Sequence, residues 1–273
     1  PVATRALTAA PAAPLRGEPD RTSERDLLVN FDTFEPVYEA ILDDFGFGRD
    51  ADERVRDVAA DLATPFPLDR LGDWDGKTVA VAGAAPRLAD DAALARDADV
   101  VVAASTAADV LADRGVGVDC MVTDLDKNPE TAVELTRDGT PVAAHAHGDN
   151  LSAVREWLPR FADEWTLATT QAGPAGPVRN TGGFTDGDRA AFLADHVGRR
   201  EPALPGWEFD DLAGAPMKAP KLDRAPHLVP WIERRRGQRS AVLHGRRGAG
   251  DGWLGAMLGD GLVGGARAGG RLL

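Results

Sequence analysis

Two aspartates separated by one residue follow an apolar run in the stretch MVTDLDKN, residues 121–128. In an extended chain the side chains of residues i and i+2 point to the same face, so Asp124 and Asp126 are expected to converge. Paired carboxylates suit a hard cation such as Mg²⁺, which prefers oxygen ligands. A solvated acidic turn is the alternative for this stretch taken alone.

A second polar cluster, HAHGDN, occupies residues 145–150. His145 and His147 have the same spacing as the two aspartates, and Asp149 and Asn150 follow them directly. A catalytic zinc site needs about three protein ligands, and no third ligand is evident here. Two interpretations stay open: structural histidines bonded at a strand end, or a polar wall that holds phosphate or metal-bound water.

Two glycine-containing turns precede predicted helices. GAAPRL, residues 83–88, could bring backbone N–H groups close to a phosphate, although it lacks the full GxGxxG pattern and many strand-to-helix turns need glycine. GGFTDGDR, residues 182–189, presents Asp186, Asp188 and Arg189 at a helix start, with Thr185 or Asp186 as the expected N-cap.

Lysine is scarce, since the chain contains only Lys77, Lys127, Lys218 and Lys221. Lys218 and Lys221 are three residues apart and would be neighbours on one face of a helix. Because lysine is so rare in this chain, their pairing favours a phosphate contact over a solvated helix face.

These residues follow short apolar runs that read as buried strands, with helical segments between most of them. Alternating strands and helices predict an α/β fold with a mostly parallel sheet and helices on both faces. Ligands bind outside the carboxyl ends of the strands in such sheets, and the polar clusters fall at those ends. The predicted strands are KTVAVAG (77–83), DVVVAAS (99–105), VDCMVTDLD (118–126), TPVAAHAHGDN (140–150) and EWTLATTQ (164–171).

The chain divides into four predicted parts. Residues 1–28 lack a sustained period and are predicted to be disordered or a non-native extension, with translation able to start at Val29. Residues 29–72 form a helical amino-terminal cap, with one helix from Asn30 and another near Asp52–Leu62. Residues 73–240 form the predicted α/β domain that carries the polar clusters, and residues 241–273 form a glycine-rich tail without an assigned role.

Composition excludes several classes of protein. The chain has 273 residues, with 44 acidic and 31 basic side chains and a formal charge of -13, so its overall field disfavours nucleic acid and anionic membranes. No apolar run reaches the ~18 residues of a membrane span, and a cytoplasmic protein is expected. The single cysteine excludes an intramolecular disulfide. The acidic, lysine-poor composition is typical of a halophilic archaeon, and the oligomeric state is not predicted.

Together TDLD, HAHGDN, TTQ, GGFTDGDRA and the late KxxKL resemble the archaeal 6-hydroxymethyl-7,8-dihydropterin pyrophosphokinases, whose catalytic domain is similar to that of thiamin pyrophosphokinases. The resemblance covers residues 30–240, with the motifs in the expected order. It implies Mg²⁺-dependent transfer of diphosphate from ATP to the hydroxymethyl group of the pterin, with release of AMP. The product would serve folate-type or methanopterin-type cofactor synthesis.

The resemblance also implies roles for individual residues. The catalytic carboxylates would be Asp124, Asp126, Asp149 and Asp186, and the first three of these would hold Mg²⁺. The nucleotide and the acceptor would be bound by a larger set, which comprises Gly83, Arg87, His145, His147, Asn150, Gln171, Thr185, Arg189, Lys218 and Lys221.

Some residues depart from the family pattern. The turn GAAPRL replaces the usual GxGPSL, Glu208 stands in place of an aspartate, and Lys127 stands where glycine often follows TDLD. One alternative is a thiamin pyrophosphokinase or another metal-dependent phosphotransferase on the same scaffold. Another is a nucleotide-binding regulator without turnover, which the change in GAAPRL would favour.

Overall fold

The computed structural model describes residues 30–197 and 202–208, and a six-stranded sheet with entirely parallel pairing forms their centre. The predicted mostly parallel α/β fold is confirmed. The predictions for residues 1–28, Lys218, Lys221 and residues 241–273 lie outside the described residues. The strands are β1 (Val79–Ala82), β2 (Val100–Ala104), β3 (Cys120–Thr123), β4 (Val142–Ala146), β5 (Thr166–Thr170) and β6 (Pro202–Ala203).

Helices cover both faces of this sheet. Every residue of β1 to β5 is buried, which explains why these strands read as continuous apolar runs. Within β1, Ala80 packs in the core under one layer of helices, whereas Val79 and Val81 pack in the core on the opposite face. The helices are α1 (Phe31–Phe45), α2 (Arg49–Leu62), α3 (Leu88–Arg96), α4 (Ala107–Asp113), α5 (Pro129–Arg137), α6 (Leu151–Trp157) and α7 (Asp186–His196).

The strand order is β5-β4-β3-β2-β1-β6, so the first five strands are laid down consecutively and the chain then returns to the far edge. The connecting helices α3 to α6 share one core on one face, while α7 packs under β1, β2 and β3 on the other face. This return places the start of α7 near the carboxyl end of β3. Residues distant in the sequence thereby meet at one edge of the sheet.

The amino-terminal cap forms as predicted, although its second helix begins earlier. Asn30 caps α1, its side chain accepting a 2.9 Å hydrogen bond from the Thr33 N–H, and Gly46 ends the helix at φ +67°. The buried stripe of α1 packs against Phe184 and Phe192 beneath the carboxyl ends of the strands. Helix α2 begins at Arg49 and packs against α6, β4 and β5.

Three short 3₁₀ turns, Leu68–Leu71, Leu158–Arg160 and Asp163–Trp165, complete the described secondary structure. Within residues 30–197 and 202–208, no helix combines the length and the apolar character that crossing a bilayer requires.

Candidate active site

Three carboxylates meet at the carboxyl edge of the sheet. Asp124 and Asp126 follow β3, and Asp186 is the first residue of α7. Each contributes one oxygen to a group in which the oxygen atoms all lie within 4.8 Å of one another. The structure therefore brings together two aspartates of TDLD and one aspartate of GGFTDGDR.

The convergence of Asp124 and Asp126 has a different cause from the one inferred from their spacing. Strand β3 ends at Thr123, before either aspartate. Leu125 then adopts a left-handed conformation at φ +68°, and its N–H donates a 3.0 Å hydrogen bond to Thr123 Oγ1. A tight turn with a strained, buried leucine, rather than an extended strand, brings the two carboxylates together.

The electrostatics of this group favour a bound cation. Burial, reinforced by the neighbouring Asp124 charge, raises the pKa of Asp186 to about 7, and burial with the hydrogen bond to Asp124 raises the pKa of Asp126 to about 6. Burial also opposes ionisation of Asp124, but hydrogen bonding to His147 and Asp126 and the charge of Arg189 outweigh it and lower the Asp124 pKa. The three groups thus resist full ionisation together.

A buried oxygen atom supports the same conclusion. Asp124 Oδ1 has no hydrogen-bond partner among the described residues, although it is shielded from solvent. A buried acceptor without a donor is costly unless a cation satisfies it. Carboxylate oxygens are the ligands that Mg²⁺ prefers, so the residues present fit a magnesium site.

Asp149 lies outside the carboxylate group, although the sequence placed it among the metal ligands. Its side chain is exposed and lines a cavity next to the group, together with His147 and Arg189. The third carboxylate that the geometry offers to a cation is Asp186, which the sequence placed among the catalytic residues.

The two histidines occupy different environments. His145 is buried, its Nδ1 lies 3.1 Å from Thr169 Oγ1, and burial with the nearby Arg189 charge keeps its pKa well below the usual range. His145 is therefore a neutral imidazole. His147 lies closer to the carboxylate group, with its Nε2 3.8 Å from Asp124 Oδ2.

Asn150 acts as a clamp between two strand ends. Its Nδ2 donates 2.7 Å hydrogen bonds to the backbone carbonyls of Asp124 and His145, and its Oδ1 accepts a 3.0 Å hydrogen bond from the His147 N–H. These contacts use both of its amide protons. Asn150 therefore positions the loops after β3 and β4 rather than offering an N–H to phosphate.

Arg189 connects the carboxylate group to the end of β5. Its Nη1 lies 3.1 Å from Asp186 Oδ1, and its Nη2 donates a 3.1 Å hydrogen bond to Gln171 Oε1. Because both partners are acceptors, the guanidinium is held in a defined orientation beside Asp186. Gln171 and Arg189, both predicted to bind nucleotide or acceptor, meet here with Asp186.

This chain of hydrogen bonds continues to Asp52 and Tyr38, which were not predicted as site residues. The buried Asp52 of α2 accepts hydrogen bonds from Gln171 Nε2 at 2.8 Å, the Tyr38 hydroxyl at 2.9 Å and the Gly148 N–H at 2.6 Å. Burial and the Asp52 carboxylate raise the Tyr38 pKa, so the hydroxyl stays protonated and donates.

A sequence signal for Asp52 was present in α2. Asp52 lies at helical spacing with Val55 and Ala59, which are both buried, so it occupies the apolar stripe of an otherwise charged helix. A carboxylate in such a stripe has to find buried donors. The amino-terminal cap thus contacts the site through Asp52.

The glycine loop before α7 has a structural reason. Gly182 and Gly183 have φ angles of +88° and +93°, and a Cβ at Gly182 would lie 2.4 Å from Phe192 Cδ1. Thr185 is the N-cap of α7 and forms a capping box with Asp188. The loop therefore packs closely against α7. Among the described residues, the contacts of the Thr185 side chain are explained by its role as the N-cap.

The turn GAAPRL is covered by the returning chain. The Gly83 N–H donates to the Pro205 carbonyl at 2.9 Å and the Ala85 N–H donates to the Gly206 carbonyl at 3.1 Å. A Cβ at Gly83 would lie 2.7 Å from the Gly206 oxygen, which explains this glycine by close backbone packing. These two N–H groups are engaged within the protein and are not directed to a phosphate.

Arg87, in the same turn, is exposed and pairs with Asp91, its Nε lying 2.8 Å from Asp91 Oδ2. The sequence placed Arg87 at the nucleotide, and the structure gives it a carboxylate partner on α3. Glu208 is also exposed and lies beyond β6 rather than within a strand.

Comparisons with known proteins identify a family and several relatives of this chain. The family described as 6-hydroxymethylpterin diphosphokinase MptE-like matches residues 59–212. The 6-hydroxymethyl-7,8-dihydropterin pyrophosphokinase of Methanothermobacter thermautotrophicus is 37% identical over 216 residues, which cover 72% of this chain and 92% of that protein. The Pyrococcus furiosus protein of the same name is 33% identical over 224 residues, covering 75% and 95%.

A third relative with that name, from Methanocaldococcus jannaschii, is 27% identical over 227 residues, covering 73% of this chain and 94% of the relative. The three alignments extend well beyond the residues matched by the family, and each spans nearly the whole relative. The chain belongs to the 6-hydroxymethylpterin diphosphokinase MptE-like family.

Proposed function

We propose that this protein transfers diphosphate from ATP to the hydroxymethyl group of 6-hydroxymethyl-7,8-dihydropterin, with Mg²⁺ as the cofactor. The group of Asp124, Asp126 and Asp186 carries the proposal, because ATP-dependent phosphoryl chemistry needs charge neutralisation more than covalent catalysis. The relatives named as pyrophosphokinases for this pterin support the same reaction. The product would enter folate-type or methanopterin-type cofactor synthesis in the cytoplasm.

In this reaction the hydroxyl oxygen of the acceptor bonds to the β-phosphorus of ATP and its proton passes to solvent. The bond between that phosphorus and the α,β-bridging oxygen breaks, and AMP leaves with that oxygen. Asp124, Asp126 and Asp186 would hold Mg²⁺, which when bound neutralises charge on the phosphate oxygens. Arg189 lies 3.1 Å from Asp186 and adds a positive charge next to the group. Lys218 and Lys221 are proposed as further phosphate contacts.

Release of AMP from ATP tests the proposal directly. Purified protein with ATP, Mg²⁺ and the dihydropterin alcohol is expected to release AMP and form the pterin diphosphate, both detected by chromatography. Asp126→Asn should lower the rate by at least roughly a hundredfold, since removing one charge-stabilising group at a reacting centre typically costs that much. Asp61→Asn, which changes an exposed aspartate in the last turn of α2, is the matched control.

The same assay separates the alternatives. AMP release with thiamin but not with the pterin alcohol would identify a thiamin pyrophosphokinase. Binding of ATP without AMP release with either alcohol would identify a nucleotide-binding regulator. The engaged N–H groups of GAAPRL are the observation that favours this second candidate, because they leave less backbone to bind phosphate.

A further inference from the structure

The buried carboxylate of Asp52 connects three separate parts of the chain. Its Oδ1 accepts the hydrogen bond from the Gly148 N–H in the loop after β4, and its Oδ2 accepts from Gln171 Nε2 in the loop after β5. The Tyr38 hydroxyl of α1 donates to the same Oδ2. All three partners are donors, which is what a buried carboxylate requires. Asp52 is therefore held in one orientation.

These contacts fix the side-chain amide of Gln171. An amide has donors on its nitrogen and an acceptor on its oxygen, so its two possible orientations are not equivalent. Because the carboxylate of Asp52 accepts, the NH₂ group of Gln171 faces Asp52. Gln171 Oε1 is then turned towards Arg189 Nη2, 3.1 Å away. Asp52 thus determines that Arg189 meets an acceptor.

Arg189 contacts Asp186 through the other terminal nitrogen of its guanidinium. Its Nη1 lies 3.1 Å from Asp186 Oδ1, and only 6% of the Arg189 side chain is exposed. A planar guanidinium with an acceptor at each end is fixed in orientation. A continuous chain of hydrogen bonds therefore runs from Asp52 on α2 through Gln171 to the carboxylate group.

Helix α2 is attached closely to both of these loops. A Cβ at Gly148 would lie 2.8 Å from the Ala51 Cβ, so the loop after β4 lies directly on the start of α2. Arg56, which lies one turn after Asp52 on the same face, donates a 3.1 Å hydrogen bond to the Gly173 carbonyl in the loop after β5. The position of α2 therefore sets the positions of both loops.

We propose that Asp52 is a positioning residue for the diphosphate transfer, an inference that rests on the proposed function. Through Gln171 it holds Arg189 beside Asp186, where the guanidinium stabilises negative charge on the phosphates in the transition state. The family match covers residues 59–212, and Asp52 lies outside them. The amino-terminal cap thus orients a charged group of the site.

Steady-state kinetics test this role. Asp52→Asn should lower kcat about ten- to a hundredfold, since a small displacement of a group at the reacting centre has an effect of that order. The KM values for ATP and for the pterin alcohol should stay within about twofold of wild type, because the interaction acts in the transition state. Asp61→Asn, which changes an exposed aspartate of the same helix, should leave kcat unchanged.

Two outcomes of these kinetics would overturn the inference. A raised KM for the pterin alcohol with an unchanged kcat would make Asp52 a contact of the acceptor. A lower Tm with unchanged kcat and KM values would make Asp52 a residue of structural importance only.

A second variant shows whether the effect passes through Gln171. Methionine is similar in length to glutamine but lacks the amide, so Gln171→Met interrupts the chain between Asp52 and Arg189. This variant should also lower kcat, and adding Asp52→Asn to it should cause little further loss, since both substitutions break the same connection. Losses of kcat that multiply in the double variant would show that Asp52 acts independently of Gln171 and would contradict the proposed role.

A measurement without turnover separates this inference from the proposed function. The ¹H–¹⁵N resonances of the Arg189 guanidinium, assigned by their loss in Arg189→Lys, should shift in Asp52→Asn and stay in place in Asp61→Asn. Unchanged resonances in Asp52→Asn would overturn the inference whatever the reaction. Shifted resonances in a protein that releases no AMP with the pterin alcohol would instead reject the proposed function and retain the connection between Asp52 and Arg189.

Discussion

Replacing Asp52 with asparagine should change the hydrogen bonds of the site, although Asp52 lies on α2, which carries none of the three clustered carboxylates. The remaining oxygen can still accept the Gly148 N–H bond, but the new amide then faces Gln171 Nε2, which now lies 2.8 Å from Asp52 Oδ2. Two donors oppose each other, so the Gln171 amide must rotate. Rotation turns its NH₂ group towards the guanidinium of Arg189 and removes the 3.1 Å hydrogen bond between them.

The size of the effect follows from the lost contact. A hydrogen bond to a charged group contributes about 1.5–3 kcal/mol to the free energy of unfolding. For a domain of this size, each kcal/mol corresponds to roughly 2–4 °C in Tm. Asp52→Asn should therefore lower Tm by about 3–12 °C, measured by circular dichroism at constant high salt.

A second substitution should restore the network. In Asp52→Asn/Gln171→Glu, the new carboxylate accepts from both the new amide and Arg189. Gln171→Glu alone places two carboxylates in contact and should be destabilising. The double variant should be more stable than either single variant, and additive effects of the two substitutions would refute the proposed connection.

Three further perturbations test the packing and the protonation states. Gly182→Ala should lower the free energy of unfolding by at least about 2 kcal/mol in urea titrations, because its Cβ would meet Phe192 at 2.4 Å, whereas Gly176→Ala should cost only about 1 kcal/mol. Burial raises the pKa of Cys120 to about 12, so iodoacetamide at pH 8 should label this thiol only after unfolding, as mass spectrometry would show. Burial lowers the pKa of His196, so this histidine binds a proton more readily in the unfolded state than in the folded state. The free energy of unfolding should therefore fall as the pH drops below about 6.5. His196→Gln should reduce this fall between pH 7 and pH 5.

The sheet could be predicted from the sequence because strands that are buried on both faces appear as short, continuous apolar runs. The strand β1 reads as VAVA between a lysine-containing turn and a glycine, and such runs repeat at similar intervals along the chain. The proximity of Asp124 and Asp126 could also be predicted, since their spacing and their position after β3 are local properties of the sequence. The turn at Leu125 that joins them could not be predicted, because leucine rarely adopts a left-handed backbone conformation and its residue type gives no indication of one.

The remaining site residues depend on contacts between distant parts of the chain. Asp186, rather than Asp149, lies beside the two aspartates of TDLD because α7 packs under the sheet after the chain returns. No single motif predicts the strand order that produces this return. The turn GAAPRL looked like a phosphate loop, but its Gly83 is covered by the segment that follows β6. Local patterns indicate which residues are unusual, whereas the fold decides which of them meet.

The late return of the chain to β1 has a consequence for folding. Trp207 Nε1 bonds to the Val81 carbonyl across 126 residues, and Gln171 bonds to Asp52 across 119 residues. Both closures are non-local, and contacts of this kind form slowly. Until residues 202–207 leave the ribosome, β1 has an unpaired edge. During synthesis this edge can pair with strands of other chains until β6 pairs with it, so the pairing of β6 also protects the nascent protein against aggregation at β1.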